Sequence, residues 1–155
     1  MEDREQGAVG REAPETRDRY RMFLEIPTRW MDNDVYGHVN NVVYYSYFDT
    51  VVNGYLISSG ALDIEKSRVI GLVVETQCRY FKPITFPDTV HAGLRVARLG
   101  TSSVRYEIGI FRNDEDAAAA QGYFVHVYVD RETRRPTALT PEMRGALEQV
   151  LVRER

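Results

Sequence analysis

The segment Trp30–Asn41, with the sequence WMDNDVYGHVNN, holds residue types that could do hydrolytic chemistry. It places two acids, a glycine, a histidine and two asparagines directly before a long, mostly apolar run. A carboxylate can act as a nucleophile or as a general base for water. The start of a helix exposes unpaired N–H groups and a partial positive charge, which suit a developing oxyanion. One stretch of chain therefore offers both halves of a hydrolytic site.

The same residue types also have ordinary structural roles. Aspartates such as Asp32 and Asp34 are common in turns, and Asn40 and Asn41 are typical helix caps. A histidine such as His38 more often packs or forms a hydrogen bond than acts as a base. We interpret Asp32 as a turn residue whose carboxylate supports the loop.

Other catalytic constellations are missing from the sequence. It has no phosphate-binding loop, no dinucleotide glycine motif, no HExxH pair and no G-x-S-x-G elbow. The three histidines lie in three different segments, and the single cysteine, Cys78, falls within a strand pattern. The sequence therefore predicts no metal site, no disulfide and no cofactor.

Hydrophobic periodicity predicts the elements that must position the Trp30–Asn41 segment. Residues Asn41–Ser59 have strongly polar side chains along only one narrow stripe, which is typical of a helix buried on several sides. Period-two patterns predict strands, and Pro141 predicts the start of a closing helix. The predicted strands are Arg21–Trp30, Arg68–Lys82, Thr89–Leu99, Ser102–Arg112 and Ala118–Asp130, and the closing helix is Pro141–Arg153.

One apolar helix and one antiparallel sheet of about five strands predict an α+β hotdog fold, in which the sheet wraps around one long buried helix. Residues 20–155 would form this single domain. Residues 1–19 lack the apolar side chains needed to dock, and we expect a disordered tail. Open sheet edges favour a homodimer, with a tetramer as the alternative.

Composition narrows the class of protein. A net charge of −3 over 155 residues gives no reason to expect a nucleic-acid partner. No apolar run approaches the length of a membrane span, and the first twenty residues lack the apolar core of a signal peptide. We therefore expect a cytoplasmic protein without a membrane partner.

The stretch DNDVYGHVNNVVYYSYFD resembles the D-x-D-x-x-G-H-x-N-N-x-x-Y segment of the 4-hydroxybenzoyl-CoA thioesterase family of hotdog proteins. Residues Gly71–Val90, with the sequence GLVVETQCRYFKPITFPDTV, are similar to the second strand of that family. With the order of strands, the resemblance covers about Arg21 to Asp130. The first motif is fairly specific for the family and only weakly specific for the substrate.

The resemblance implies roles for individual residues. Asp34 matches the catalytic aspartate of the family, and Gly37 matches the tight turn before the helix. His38 and Asn40 are motif positions that we assign to substrate binding. Asn41 stands where other branches have His or Tyr near the thioester, so its amide becomes a second catalytic candidate.

The resemblance also implies where an acyl-CoA would lie. Its acyl chain would enter between subunits, and its nucleotide would lie on the surface near Arg79 or Lys82. The predicted reaction is hydrolysis of an acyl-CoA to the free acid and CoA, without a metal or redox cofactor. Two alternatives stay open: a hotdog hydratase or dehydratase that uses His38, and a module that binds an acyl thioester without turning it over.

Overall fold

A computed structural model describes residues 13–152 of the chain. Its elements are β1 (Met22–Pro27), α1 (Val43–Ser58), β2 (Val69–Tyr80), β3 (Thr89–Leu99), β4 (Ser103–Arg112), β5 (Ala120–Asp130) and α2 (Pro141–Glu148). The five strands form one antiparallel sheet in the order β1-β3-β4-β5-β2. Helix α1 lies between the first two strands along the chain, and helix α2 follows the last strand.

The predicted α+β architecture with a five-stranded antiparallel sheet is confirmed. Most boundaries agree to within two residues, and β3 has the predicted bounds. Strand β1 ends earlier than predicted, at Pro27, which cannot donate a ladder hydrogen bond. Helix α2 stops at Glu148 instead of continuing to Arg153, and the last three residues of the chain lie outside the described part.

Helix α1 packs one side against the sheet and leaves the other side uncovered. Six of its 16 residues are buried, among them Phe48, Val51 and Val52, which belong to the same core cluster as Leu94 and Ile108 of the sheet. The predicted polar stripe is the uncovered side, and Ser46, Asp49 and Thr50 are exposed there. A single sheet covers only one side of a helix. The helix is therefore shorter and less enclosed than the predicted long buried helix.

Residues 13–19, which we expected to belong to a disordered tail, contact the outer face of the sheet. The Arg17 guanidinium donates from Nε to the Glu115 carbonyl at 2.8 Å and lies 5.0 Å from the Phe111 ring centre. The Glu15 carbonyl accepts from the Ala118 amide at 2.9 Å. Polar and cation–π contacts dock this segment in place of apolar burial. The rest of the predicted tail, residues 1–12, lies outside the described residues.

The sheet ends in two edge strands, β1 and β2. The middle of β2 is exposed, including Leu72, Val73 and Val74, the last of which is 60% exposed. Neither helix of residues 13–152 has the length and apolar character needed to cross a membrane.

Candidate active site

The two acids of the motif lie in a small hairpin directly before α1. Asn33 and Val39 pair as an isolated antiparallel bridge. The Asp34 amide donates to the His38 carbonyl at 2.9 Å, and the Asn40 amide donates to the Asp32 carbonyl at 2.9 Å. These bonds close the turn that carries Asp34 and hold it against the start of the helix. We refer to residues 32–40 as the acid hairpin.

Gly37 is required where the acid hairpin reverses direction. Its φ is +84°, in the left-handed region that glycine adopts without a steric penalty. Its amide donates to the Asp34 carbonyl at 3.0 Å, and its own carbonyl accepts from the Thr85 hydroxyl. The role that the resemblance implied for Gly37, a tight turn before the helix, agrees with this geometry.

The loop between β2 and β3 supports the acid hairpin from the side. The Ile84 carbonyl accepts from the Val39 amide at 2.7 Å, and the Phe86 amide donates to Asn33 Oδ1 at 3.1 Å. The Phe86 ring also meets Trp30 edge to face, with the ring centres 5.9 Å apart. Sequence reasoning missed this support because these residues lie about fifty positions from the motif.

The Asp34 side chain is half-buried, and one of its oxygens has a fixed partner. Oδ1 accepts a hydrogen bond from the Tyr36 amide at 2.9 Å, so the carboxylate closes a short turn with its own backbone. Residues 35–38 around it are exposed. The carboxylate is therefore oriented by the hairpin and remains within reach of solvent and of a bound ligand.

Most of the backbone amides at the start of α1 already donate to an acceptor within the chain. They are therefore not free to form the oxyanion site that the sequence predicted at the start of the helix. The Val42 amide donates to Asn40 Oδ1 at 3.0 Å, and the Val43 amide donates to the Asn40 carbonyl at 2.9 Å. The Tyr44 and Tyr45 amides donate to carbonyls three residues before them. In the part of the chain that the structure describes, the Asn41 amide N–H has no acceptor, so this donor at the helix start is free for a ligand. The N-cap residue of α1 is Val42, and Asn40 holds the turn directly before it through its side chain and its carbonyl.

Asp32, which we interpreted as a turn residue whose carboxylate supports the loop, does lie in a turn but is also buried. It lies in a short 3-10 turn, and only 1% of the residue is exposed. Oδ1 accepts from Arg29 Nη2 at 2.9 Å and from Arg29 Nε at 3.1 Å, and Oδ2 accepts from the Tyr47 hydroxyl at 3.0 Å. Burial favours the neutral acid, but these bonds and one from the Arg29 amide outweigh it and lower the pKa of Asp32.

The structure gathers five of the seven predicted site residues at the acid hairpin: Asp34, Gly37, His38, Asn40 and Asn41. The His38 side chain is exposed, and its carbonyl closes the hairpin. Arg79 and Lys82 lie elsewhere. Alternation along β2 puts Arg79 on the outer face of the sheet, where it lines a small cavity with Arg95 and Arg105. Lys82 Nζ pairs with Glu115 Oε1 at 2.5 Å.

A cavity of about 210 Å³ opens between α1 and the strands β2 and β5. Asp49 and Asn53 of α1 line one side, and apolar residues such as Leu56 and Ile70 line others. By helical rise, Asp49 lies about 9 Å along α1 from Val43, the first residue of the helix. The described residues hold no cluster of His, Cys, Asp and Glu that could bind a metal ion.

His126 and Tyr128 of β5 also line this cavity. The Tyr128 hydroxyl lies 2.5 Å from the Tyr106 hydroxyl and 3.5 Å from His126 Nδ1. Burial lowers the pKa of His126 to about 4, so the imidazole is neutral at physiological pH.

The fold and the acid hairpin together define a hotdog protein of the thioesterase class. The model of the thioesterase-like superfamily matches residues 28–147, and the chain belongs to that family.

Solved structures agree with this assignment. The chain is 53% identical to the PA5185 protein of Pseudomonas aeruginosa, with a TM-score of 0.87 over 89% of this chain and 96% of that one. It is 32% identical to PA2801 of the same organism, a protein provisionally named a thioesterase, with a TM-score of 0.76 over 83% of this chain and 98% of that one. DHNA-CoA thioesterase of Staphylococcus aureus is 23% identical and shares the fold, with a TM-score of 0.74 over 83% of this chain and 89% of that one.

Proposed function

We propose that this protein hydrolyses the thioester of an acyl-CoA to the free acid and CoA, with Asp34 as the catalytic carboxylate. The observation that carries the proposal is the acid hairpin. It holds the half-buried Asp34 carboxylate, and the free Asn41 amide follows directly after it on the same short piece of chain. A carboxylate beside an oxyanion donor is the minimum that thioester hydrolysis needs.

In the proposed reaction, the thioester carbonyl accepts a hydrogen bond from the Asn41 amide, with the exposed Asn41 side chain as a second donor. As a nucleophile, Asp34 attacks the carbonyl carbon, and the C–S bond breaks to release CoA thiolate and leave an acyl anhydride, which water hydrolyses. As a general base, Asp34 takes a proton from water, which attacks instead, and the proton then goes to the departing sulfur. In both routes the Asn41 amide stabilises the negative oxygen.

Family membership and the motif support a CoA thioester as the substrate. Among fold relatives, the Staphylococcus aureus protein is named for a CoA thioester. The cavity beside Asp49 offers space for an acyl group, and the motif itself resembles that of 4-hydroxybenzoyl-CoA thioesterases. We propose Arg79 and Lys82 as contacts for the CoA nucleotide. To bind it, Lys82 would leave its ion pair with Glu115. We further propose a cytoplasmic homodimer.

A panel of acyl-CoAs that differ in chain length and aromaticity, assayed by release of free thiol, tests the proposal. Turnover of at least one member above the uncatalysed rate is the expected result. Saturable binding without thiol release would identify a binding module instead. Loss of an enoyl-CoA without thiol release would identify a hydratase.

A further inference from the structure

The Asp32 carboxylate is buried at the junction between the acid hairpin and helix α1. It bonds Arg29, just before the hairpin, and the hydroxyl of Tyr47, which lies just beyond the first turn of the helix. The Arg29 side chain is 64% exposed, and an ion pair with one exposed partner contributes little net stability. The buried Asp32 carboxylate is therefore better explained by the groups that it holds in place than by a contribution to stability.

Tyr47 connects Asp32, through two other rings, to Asn41, the residue whose N–H would bind the oxyanion. Its ring meets Tyr44 edge to face at 5.9 Å between ring centres, and Tyr44 meets Tyr80 at 5.0 Å. The Tyr80 hydroxyl donates to the Asn41 carbonyl at 3.0 Å. A continuous series of contacts, buried at Asp32, Tyr47 and Tyr44 and exposed at Tyr80, therefore runs from the Asp32 carboxylate to Asn41.

The backbone of Asp32 holds Asn40, the residue directly before Asn41. Its carbonyl accepts from the Asn40 amide, while Asn40 uses its own carbonyl and side chain to cap Val43 and Val42. The peptide between Asn40 and Asn41 carries the Asn41 N–H, so these bonds set its direction. Asp34 lies only two residues after Asp32 in the same hairpin.

We infer that Asp32 is a positioning residue, which acts through Tyr47 to fix the distance between the Asp34 carboxylate and the Asn41 N–H. The inference rests on the proposed function. Without the bond to Tyr47, the helix start and the hairpin can shift relative to each other. A displacement of about 1 Å in a catalytic group can cost about 10²-fold in rate.

The substitution Tyr47→Phe tests this role because it removes the hydroxyl and keeps both the ring contacts and the Arg29–Asp32 pair. Tyr20→Phe is the matched control, since the Tyr20 hydroxyl also donates to a carboxylate, Glu15 Oε1 at 2.8 Å, on the outer face of the sheet. Well below the melting temperature, Tyr47→Phe should lower kcat about tenfold with KM changed less than about twofold. Tyr20→Phe should keep both constants within about twofold.

Amide hydrogen exchange gives a second measurement that does not depend on activity. Exchange at Val42, whose amide is capped by Asn40, should be several-fold faster in Tyr47→Phe and unchanged in Tyr20→Phe. Unchanged exchange at Val42 in Tyr47→Phe would overturn the inference. An unchanged kcat, an equal loss of kcat in both variants, or a rise in KM alone would overturn it too.

Asp34→Asn in the same series separates this inference from the proposed function. Normal turnover by Asp34→Asn, or no thiol release by the unmodified protein, would reject the proposed function. Exchange at Val42 would then decide whether Asp32 positions the hairpin. An inactive Asp34→Asn beside a fully active Tyr47→Phe would reject the positioning role alone.

Discussion

His126 is the one histidine of the chain that is buried, and its ring stands between those of Tyr106 and Phe124 at 5.0 and 5.4 Å. In the unfolded chain an imidazole has a pKa near 6.5, and in the fold burial lowers the pKa of His126 to about 4. The folded state therefore binds fewer protons than the unfolded state between these values. Lowering the pH through this range favours unfolding.

We expect the free energy of unfolding to fall between about pH 6.5 and pH 4, by at most about 1.4 kcal/mol per pH unit from this residue. His126→Phe, which keeps a ring and removes the titration, should flatten the dependence. His38→Gln is the control, because His38 is exposed. Urea unfolding at several pH values measures the effect, and an equal slope in His126→Phe and the unmodified protein would contradict it.

The sequence predicts a site residue well when the contacts of that residue are with near neighbours along the chain. Asp34, Gly37, Asn40 and Asn41 lie within eight positions, and most of their hydrogen bonds are to residues only a few positions away, so the motif predicts their neighbourhood. Asp32 belongs to the same motif, but its burial depends on Tyr47, fifteen residues later. Only the packing of α1 against the hairpin shows that Asp32 is not an ordinary turn residue.

At the scale of elements, periodicity predicted strands and helices because each of them has a clear apolar face. It did not predict the docking of residues 15–19, because that segment binds through charge and not through apolar side chains. Arg95 pairs with Glu15 at 3.0 Å, and its guanidinium lies 4.6 Å from the Tyr20 ring centre. Such contacts leave no periodic pattern in the sequence.

Deletion of residues 1–18 should lower the melting temperature by several degrees, because it removes the contacts of Glu15 and Arg17 with the sheet. Deletion of residues 1–12 is the control, since it keeps every contact of the described part. Thermal unfolding of both truncated chains measures the difference. Equal melting temperatures for the two truncations would show that residues 13–18 do not stabilise the fold.

At the scale of the whole molecule, the exposed β2 edge predicts the surface of a homodimer. An edge strand with exposed Leu72, Val73 and Val74 can extend its sheet by pairing its free edge with a second copy. The uncovered polar side of α1 leaves further surface for a partner. The sequence predicted open sheet edges without saying which strands form them, because the order of strands in the sheet requires tertiary structure.

Val74→Lys should shift the protein toward the monomer, because it places a charge in the middle of the exposed edge. Glu25→Lys is the control on the opposite edge strand, β1, where the side chain is already exposed and charged. Sedimentation equilibrium at micromolar concentration measures both variants. A 17.9 kDa species for the unmodified protein would reject the dimer, and dissociation by Glu25→Lys alone would place the interface at β1.

The most direct test of the central claim is kcat for Asp34→Asn on the best acyl-CoA of the panel. Asp63→Asn is the matched control, because Asp63 is also a loop aspartate whose Oδ1 accepts from the amide two residues later, at 2.9 Å. We expect Asp34→Asn to lose about 10²-fold or more in kcat with its melting temperature preserved, and Asp63→Asn to turn over normally. Normal turnover by a folded Asp34→Asn would contradict the account.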